Sequence, residues 1–187
     1  MLGYSMGARL ALAFAVAHPD RVARLVLESG GAGIEDAVAR ASRREADEAL
    51  ADRIERDGIA VFVDEWERLP LWASQANLPG EIRRRQRERR LANWPQGLAN
   101  SLRGFGQGVQ PSLWYALPSL PMPVLAVAGG LDTKYAAIAE RMGALVPCAT
   151  TVVIPGAGHT PHLERPEEFW NAVEAFLRGR PTDAGTD

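Results

Sequence analysis

The chain carries three residues of the types that cooperate in nucleophilic and acid–base chemistry, in the order serine, aspartate, histidine. Ser5 lies in GYSMG at residues 3–7, a G-x-S-x-G pattern typical of the sharp turn between a strand and a helix. Asp132 follows GGL, and His159 follows GAG. An imidazole can take the proton of a serine hydroxyl, and a carboxylate fixes the tautomer of that imidazole. Alone, these residues would be a helix cap, a turn residue and a loop histidine, but their joint order predicts a triad.

Short β-prone runs and apolar helical segments surround these residues. Residues 24–28, 123–128 and 150–154 are predicted strands, each ended by glycine or Pro-Gly. Helices are predicted over residues 8–17, 135–145 and 167–178. This alternation predicts an α/β fold with a parallel sheet. Asp132 and His159 would then lie at the carboxyl ends of strands, where ligands gather, and the Met6 amide at a helix start would be an oxyanion donor.

The middle of the chain differs in character from the strand-bearing parts. Charge rises there and helical periodicity dominates, with predicted helices over residues 35–56, 59–68, 80–93 and 96–105. We predict a helical cap over residues 34–114, inserted into a core formed by residues 1–33 and 115–180. Residues 181–187 are polar, without an apolar period, and are predicted to be a flexible tail.

Composition restricts the class of partner and the compartment. The 187 residues are 47% apolar and 24% charged, with a formal net charge of -2, which favours neither nucleic acid nor an anionic membrane as a partner. The single cysteine, Cys148, excludes an internal disulfide and predicts a reducing, cytoplasmic location. His162 and His18 are the only other histidines, so no metal or cofactor is expected. The arginine-rich run at residues 83–90 is predicted to be a solvated helix face.

Several motifs together resemble the α/β-hydrolase superfamily and, within it, the 2-succinyl-6-hydroxy-2,4-cyclohexadiene-1-carboxylate synthases of the menaquinone pathway. They are GYSMGAR at 3–9, RLVLES at 24–29, PLWAS at 70–74, RLAN at 90–93, QPSLW at 110–114 and GAGH at 156–159. The resemblance implies an α/β-hydrolase fold with a helical cap. It also implies a lyase that removes pyruvate from 2-succinyl-5-enolpyruvyl-6-hydroxy-3-cyclohexene-1-carboxylate, with the triad acting as a base.

Four further residues match substrate-binding positions of that family, and Arg9 is a fifth candidate. Arg43 and Arg90 match carboxylate-binding arginines, and Tyr4 and Trp66 match substrate-contacting aromatic residues. From the residues alone, Arg43 and Arg90 would be solvated. Packing inside the cap explains Trp66 equally well. Arg9 follows Ser5 by one helical turn in an apolar stretch, which favours a place in the same cleft.

Two alternatives and one expectation accompany this interpretation. The same scaffold also serves hydrolases of esters or carbon–carbon bonds, and a partial domain would be inactive. The family carries further strands and a second oxyanion donor ahead of the serine, so the printed chain is expected to be the C-terminal part of a longer enzyme. The oligomeric state is left open.

Overall fold

The computed structural model describes residues 1–179 and divides into two compact units, one formed by residues 33–112 and the other by the chain on either side. The predicted cap runs from residue 34 to residue 114. The predicted tail, residues 181–187, lies outside the described residues. In chain order the elements are β1 (Leu2–Tyr4), α1 (Met6–Ala17), β2 (Leu25–Glu28), α2 (Ala37–Trp66), α3 (Gly80–Leu91), α4 (Pro95–Phe105), β3 (Val124–Gly129), α5 (Thr133–Leu145), β4 (Ala149–Ile154), α6 (Pro161–Glu164) and α7 (Pro166–Arg178). Three 3-10 segments occupy Pro19–Arg21, Pro70–Asn77 and Trp114–Ser119.

The sheet unit contains four parallel strands in the order β1-β2-β3-β4. Strands β2 and β3 are buried along their whole length, as expected for apolar runs covered on both faces. In the register, Tyr4 is opposite Glu28, and Glu28 is opposite Val127. The carboxyl ends of the strands therefore share one edge of the sheet.

Helices cover both faces of this sheet. Leu25 belongs to a buried cluster with Leu12 of α1 and Met142 of α5. The next residue, Val26, belongs to a second cluster with Phe169 and Val173 of α7. Because successive strand residues point to opposite faces, these two clusters lie on the two sides of the sheet. The α/β class predicted from the sequence is confirmed.

The helical unit is built around α2, which packs against α3 and α4. Asp36 caps α2 by accepting a hydrogen bond from the Ala39 amide at 2.7 Å. Within α2, Gly58 has φ 83°, so two helical arms meet at the residue where the sequence predicts a break. Ile54 of α2 and Ala99 of α4 are buried.

Two properties of the described part of the chain bear on the predicted partners. Among residues 1–179, no helix has the length and apolar character needed to cross a bilayer. Within the same range, no group of three or more histidine, cysteine, aspartate or glutamate side chains is arranged to hold a metal ion.

Candidate active site

Ser5 occupies a sharp turn between β1 and α1. Its backbone has φ 50° and ψ -111°, a conformation that residues with a side chain rarely adopt. The Ser5 amide donates to the Glu28 carbonyl at 2.8 Å, which ties the turn to the end of β2. A side chain at Gly3 would overlap the Gly7 carbonyl, so the turn is this tight only because residue 3 is glycine. The hydroxyl is thereby presented at the carboxyl edge of the sheet.

Asp132 follows β3 and caps α5. Its amide donates to the Gly129 carbonyl at 3.1 Å, and its Oδ1 accepts from the Tyr135 amide at 3.3 Å. Its other oxygen, Oδ2, lies 2.6 Å from Nδ1 of His159. One oxygen is therefore committed to the helix and the other to the imidazole.

His159 completes the relay from the segment that follows β4. Its Nε2 lies 3.0 Å from Oγ of Ser5, and its side chain is 2% exposed. The rings of Tyr4 and Tyr135 contact the imidazole, with centroid distances of 5.6 Å and 4.8 Å. When Nδ1 donates to Asp132, the lone pair of Nε2 is free to take the serine proton. The structure thus brings together the three side chains singled out in the sequence.

Residues 1–172 match the model of the alpha/beta hydrolase family. The chain belongs to the α/β-hydrolase family. Its relatives include the putative 2-succinyl-6-hydroxy-2,4-cyclohexadiene-1-carboxylate synthase of Bacillus subtilis, 45% identical over 95% of this chain and 65% of the relative. The Salmonella paratyphi B synthase of the same name is 32% identical, over 95% of this chain and 68% of the relative.

The structural comparison agrees with the sequence comparison. The structure of MenH from S. aureus superposes with a TM-score of 0.93 and 39% identity, covering 95% of this chain and 66% of that one. The chain therefore spans about two thirds of the length of these α/β-hydrolase relatives. The resemblance predicted from the sequence motifs is confirmed.

Three predicted residues of the α/β-hydrolase core surround the serine turn. Met6 is the first residue of α1, where helical amides have no partner within the helix. Arg9 lies one turn further along α1 and is 9% exposed, so it is not the solvated arginine that its charge alone would suggest. Tyr4 ends β1 and packs its ring against both His159 and His162.

Arg43 and Arg90 are held by side chains of the helical unit and are not simply solvated. Arg43 donates from Nε to Asp47 at 2.7 Å and from Nη1 to Gln107 at 3.1 Å. Asp47 is 2% exposed and also accepts from the Gly108 amide at 3.1 Å. Arg43 therefore has a fixed orientation, which is what bidentate recognition of a carboxylate requires.

Arg90 lies at a cavity of about 430 Å³ in the helical unit. It donates to Glu67 at 2.9 Å and to Gln75 at 3.0 Å, and its guanidinium lies 5.1 Å from the ring centroid of Trp72. The ring of Trp66 packs at a tilt against that of Trp72, with centroids 5.6 Å apart. The ring contact agrees with core packing of Trp66, and a substrate contact at this position stays a prediction.

The other arginines of the run at residues 83–90 are mostly surface groups. Arg87 hydrogen-bonds Asp64 and Glu67 at 2.6 Å each, and its guanidinium lowers the pKa of the Asp64 carboxyl. Arg84 pairs with Glu81 and Glu88 on its own helix. Arg84 and Arg87 are therefore both paired with carboxylates inside the helical unit.

Three carboxylates that bind Arg43 or the segment around His159 were not singled out in the sequence. They are Glu28, Asp47 and Glu164. Glu28 did carry a signal, because a charged residue ends an otherwise apolar, buried strand. Asp47 and Glu164 lie among many charged residues, and nothing in their spacing separates them from solvated ones.

Proposed function

We propose that the protein is a carbon–oxygen lyase that eliminates pyruvate from 2-succinyl-5-enolpyruvyl-6-hydroxy-3-cyclohexene-1-carboxylate to give 2-succinyl-6-hydroxy-2,4-cyclohexadiene-1-carboxylate. The observation that carries this proposal is the 45% identity to the Bacillus subtilis relative over 95% of the chain. The relay of Ser5, His159 and Asp132 supplies the base that the reaction needs. Because the chain covers only part of the relatives, the proposal applies to the protein that carries this chain.

Proton abstraction begins the reaction. The ring hydrogen next to the succinyl carbonyl is the acidic one, because its removal gives an enolate. Ser5 Oγ takes that proton while His159 Nε2 accepts the serine proton across 3.0 Å. Asp132 stabilises the imidazolium that forms. The Met6 amide, free of a helical partner, is the proposed donor to the enolate oxygen.

Elimination follows from the enolate. The electron pair re-forms the carbonyl, shifts the ring double bond and breaks the bond between the ring carbon and the enolpyruvyl oxygen. The ring becomes a diene, and the departing enolpyruvate takes up a proton to become pyruvate. No water is consumed, which distinguishes this reaction from hydrolysis on the same scaffold.

Substrate carboxylates give the arginines their proposed role. Arg9, Arg43 and Arg90 are the proposed carboxylate ligands, since a planar guanidinium binds a carboxylate with two parallel hydrogen bonds. Tyr4 and Trp66 are the proposed aromatic contacts. The support for Arg43 and Arg90 is that neighbouring side chains fix their orientation before any ligand arrives.

The test measures pyruvate release with purified protein and the succinyl enolpyruvyl substrate. We expect release with the native protein and its loss in Ser5→Ala, with Ser101→Ala, a partly buried serine of the helical unit, as the matched control. Turnover of esters or ring-cleavage diketones without pyruvate release would favour the hydrolase alternative. Absence of any turnover in a folded protein would favour an inactive domain.

We also propose that the protein acts in the cytoplasm on a small-molecule substrate, without a nucleic-acid or membrane partner. The single cysteine and the near-neutral net charge of -2 support this assignment. Cell fractionation with an antibody to the protein tests it, and recovery in the membrane pellet would contradict it.

A further inference from the structure

Two carboxylates outside the triad hold the segment that carries the catalytic imidazole. We propose that Glu164 and Glu28 are positioning residues that set the distance between His159 and Ser5. The proposal rests on the triad of the proposed function, and it concerns two residues outside that triad.

The carboxylate of Glu164 accepts hydrogen bonds from backbone amides on both sides of His159. Its Oε2 accepts from the Gly158 amide at 2.7 Å, and its Oε1 accepts from the Thr160 amide at 3.0 Å and from the Thr160 hydroxyl at 2.6 Å. Residues 158 and 160 are buried, so these amides have little access to water. A carboxylate that accepts from amides on either side of one residue restricts the backbone of that residue directly.

Capping of α6 explains only half of these contacts. Thr160 is the residue before α6, and a glutamate that reaches back to the amide of a cap residue is a known way to stabilise a helix start. The Gly158 amide lies before the cap and outside the helix, yet it binds the other oxygen of Glu164 at 2.7 Å. Because Gly158 and Thr160 flank His159, it is the hydrogen bond from the Gly158 amide that lets Glu164 hold the backbone on both sides of His159.

Glu28 links the same segment to the serine turn. Its backbone carbonyl accepts from the Ser5 amide at 2.8 Å. Its carboxylate is 1% exposed and accepts at Oε1 from both the amide and the Nδ1 of His162, at 3.0 Å and 2.7 Å. One residue therefore contacts the turn that bears the nucleophile and the segment that bears the base.

A small displacement of this segment has a large effect on the proton transfer. The Ser5 hydroxyl and the His159 imidazole belong to different elements, 154 residues apart, and are 3.0 Å from each other. A misplacement of about 1 Å in such a pair can reduce a rate by about 100-fold. In Glu164→Gln, one of the two acceptor oxygens becomes an NH₂ group, which cannot accept from a backbone amide. We therefore expect a rate reduction of about 10-fold to about 100-fold.

The experiment compares Glu164→Gln and Glu28→Leu, which has no acceptor for the amide and Nδ1 of His162, with Glu168→Gln, which changes an exposed carboxylate of α7 paired only loosely with Arg165 at 3.9 Å. The first readout is the second-order rate constant for labelling of Ser5 by a fluorophosphonate. The second is the pair of constants kcat and KM for pyruvate release. The third is the low-field proton NMR signal of the hydrogen between His159 Nδ1 and Asp132.

We expect slower labelling, a lower kcat with KM unchanged within about twofold, and a shifted or broadened proton signal in both test variants, with native values in Glu168→Gln. If Glu164→Gln does not fold, Glu164→Asp is the substitute, because it keeps the charge but is one methylene too short to reach both amides. Labelling within about twofold of the native rate in folded variants would overturn the proposal.

Labelling keeps this test separate from the test of the lyase activity. A fluorophosphonate reports the Ser5–His159 pair whatever the natural substrate is. If the native protein labels at Ser5 but releases no pyruvate, the proposed function fails while the positioning roles of Glu28 and Glu164 are still measured.

Discussion

Replacement of Asp132 by asparagine tests how the relay fixes the imidazole tautomer. In the native site, Oδ1 of Asp132 accepts from the Tyr135 amide and Oδ2 meets Nδ1 of His159. An asparagine keeps one oxygen, and the Tyr135 amide requires that oxygen because it is a donor. The NH₂ group of the asparagine then faces Nδ1 of His159, which must be the acceptor. The imidazole proton therefore lies on Nε2, and Nε2 cannot accept the serine proton.

The size of the effect follows from two contributions. Restoring the productive tautomer leaves the Tyr135 amide without its acceptor, at a cost of about 1–3 kcal/mol. The charge-assisted hydrogen bond to the imidazolium becomes a neutral one, at a cost of about 1–2 kcal/mol. The sum, about 2–5 kcal/mol, corresponds to a rate reduction between about 30-fold and about 5,000-fold.

The assay is fluorophosphonate labelling of Ser5, followed by pyruvate release under saturating substrate. Asp20→Asn, on an exposed 3-10 turn of the same unit, is the matched control and should behave as the native protein. Thermal unfolding of each variant establishes that the folded state is being measured. A labelling rate for Asp132→Asn within about 10-fold of the native rate would refute the tautomer argument.

Three further variants test the packing and the electrostatics. Gly3→Ala should slow labelling of Ser5 and destabilise the fold by about 1–3 kcal/mol in urea unfolding, because the added methyl overlaps the serine turn. Leu125→Ala should destabilise by about 2–5 kcal/mol, since this side chain is fully buried in the sheet core, and a smaller loss would contradict its assigned packing. The hydrogen bond from Arg103 lowers the pKa of the Glu55 carboxyl below its ordinary value of 4.5. The ion pair therefore stabilises the folded state above that pH, and this stabilisation is lost as the pH falls through the lowered pKa. Urea midpoints of native protein and Glu55→Gln should therefore differ at pH 7 and converge in acid, and a constant difference would argue against the ion pair.

Much of the sheet unit can be predicted because β2, β3 and β4 are short apolar or β-branched runs with a glycine at or just after their ends. The predicted strand at 150–154 corresponds to β4, Ala149–Ile154, and the predicted helix at 135–145 to α5, which starts two residues earlier because Asp132 caps it. Helix starts are the main difference elsewhere too, since α4 and α7 begin at a proline that periodicity alone does not include. The 3-10 segment Pro70–Asn77 has no such periodic signal and was not predicted.

Some residues of the candidate site can be recognised from the local sequence, whereas the orientation of others depends on contacts between distant parts of the chain. Ser5, Asp132 and His159 can be found because each has a glycine-rich setting at a strand end. The orientation of Arg43 cannot, because it depends on the buried carboxylate of Asp47 and on Gln107, which lies 64 residues away. The i,i+4 spacing of Arg43 and Asp47 is visible in the sequence, but the burial of Asp47 and the contact with Gln107 exist only after the chain has folded.

The strand order explains why the last residues of β2 and β3 affect the position of the catalytic imidazole. His159 follows β4, whereas Ser5 follows β1, three strands away, a separation of roughly 14 Å at about 4.8 Å per strand. The segment after β4 must therefore cross the ends of β3 and β2 to bring the imidazole to the serine. At β3 the crossing is close, since a side chain at Gly129 would overlap the carbonyls of residues 157 and 158. At β2 the strand ends in Glu28, whose carboxylate receives His162 just after the crossing. Gly129 thus permits the close approach of this segment, and Glu28 holds it in place. Together they allow the imidazole of His159 to lie 3.0 Å from the Ser5 hydroxyl.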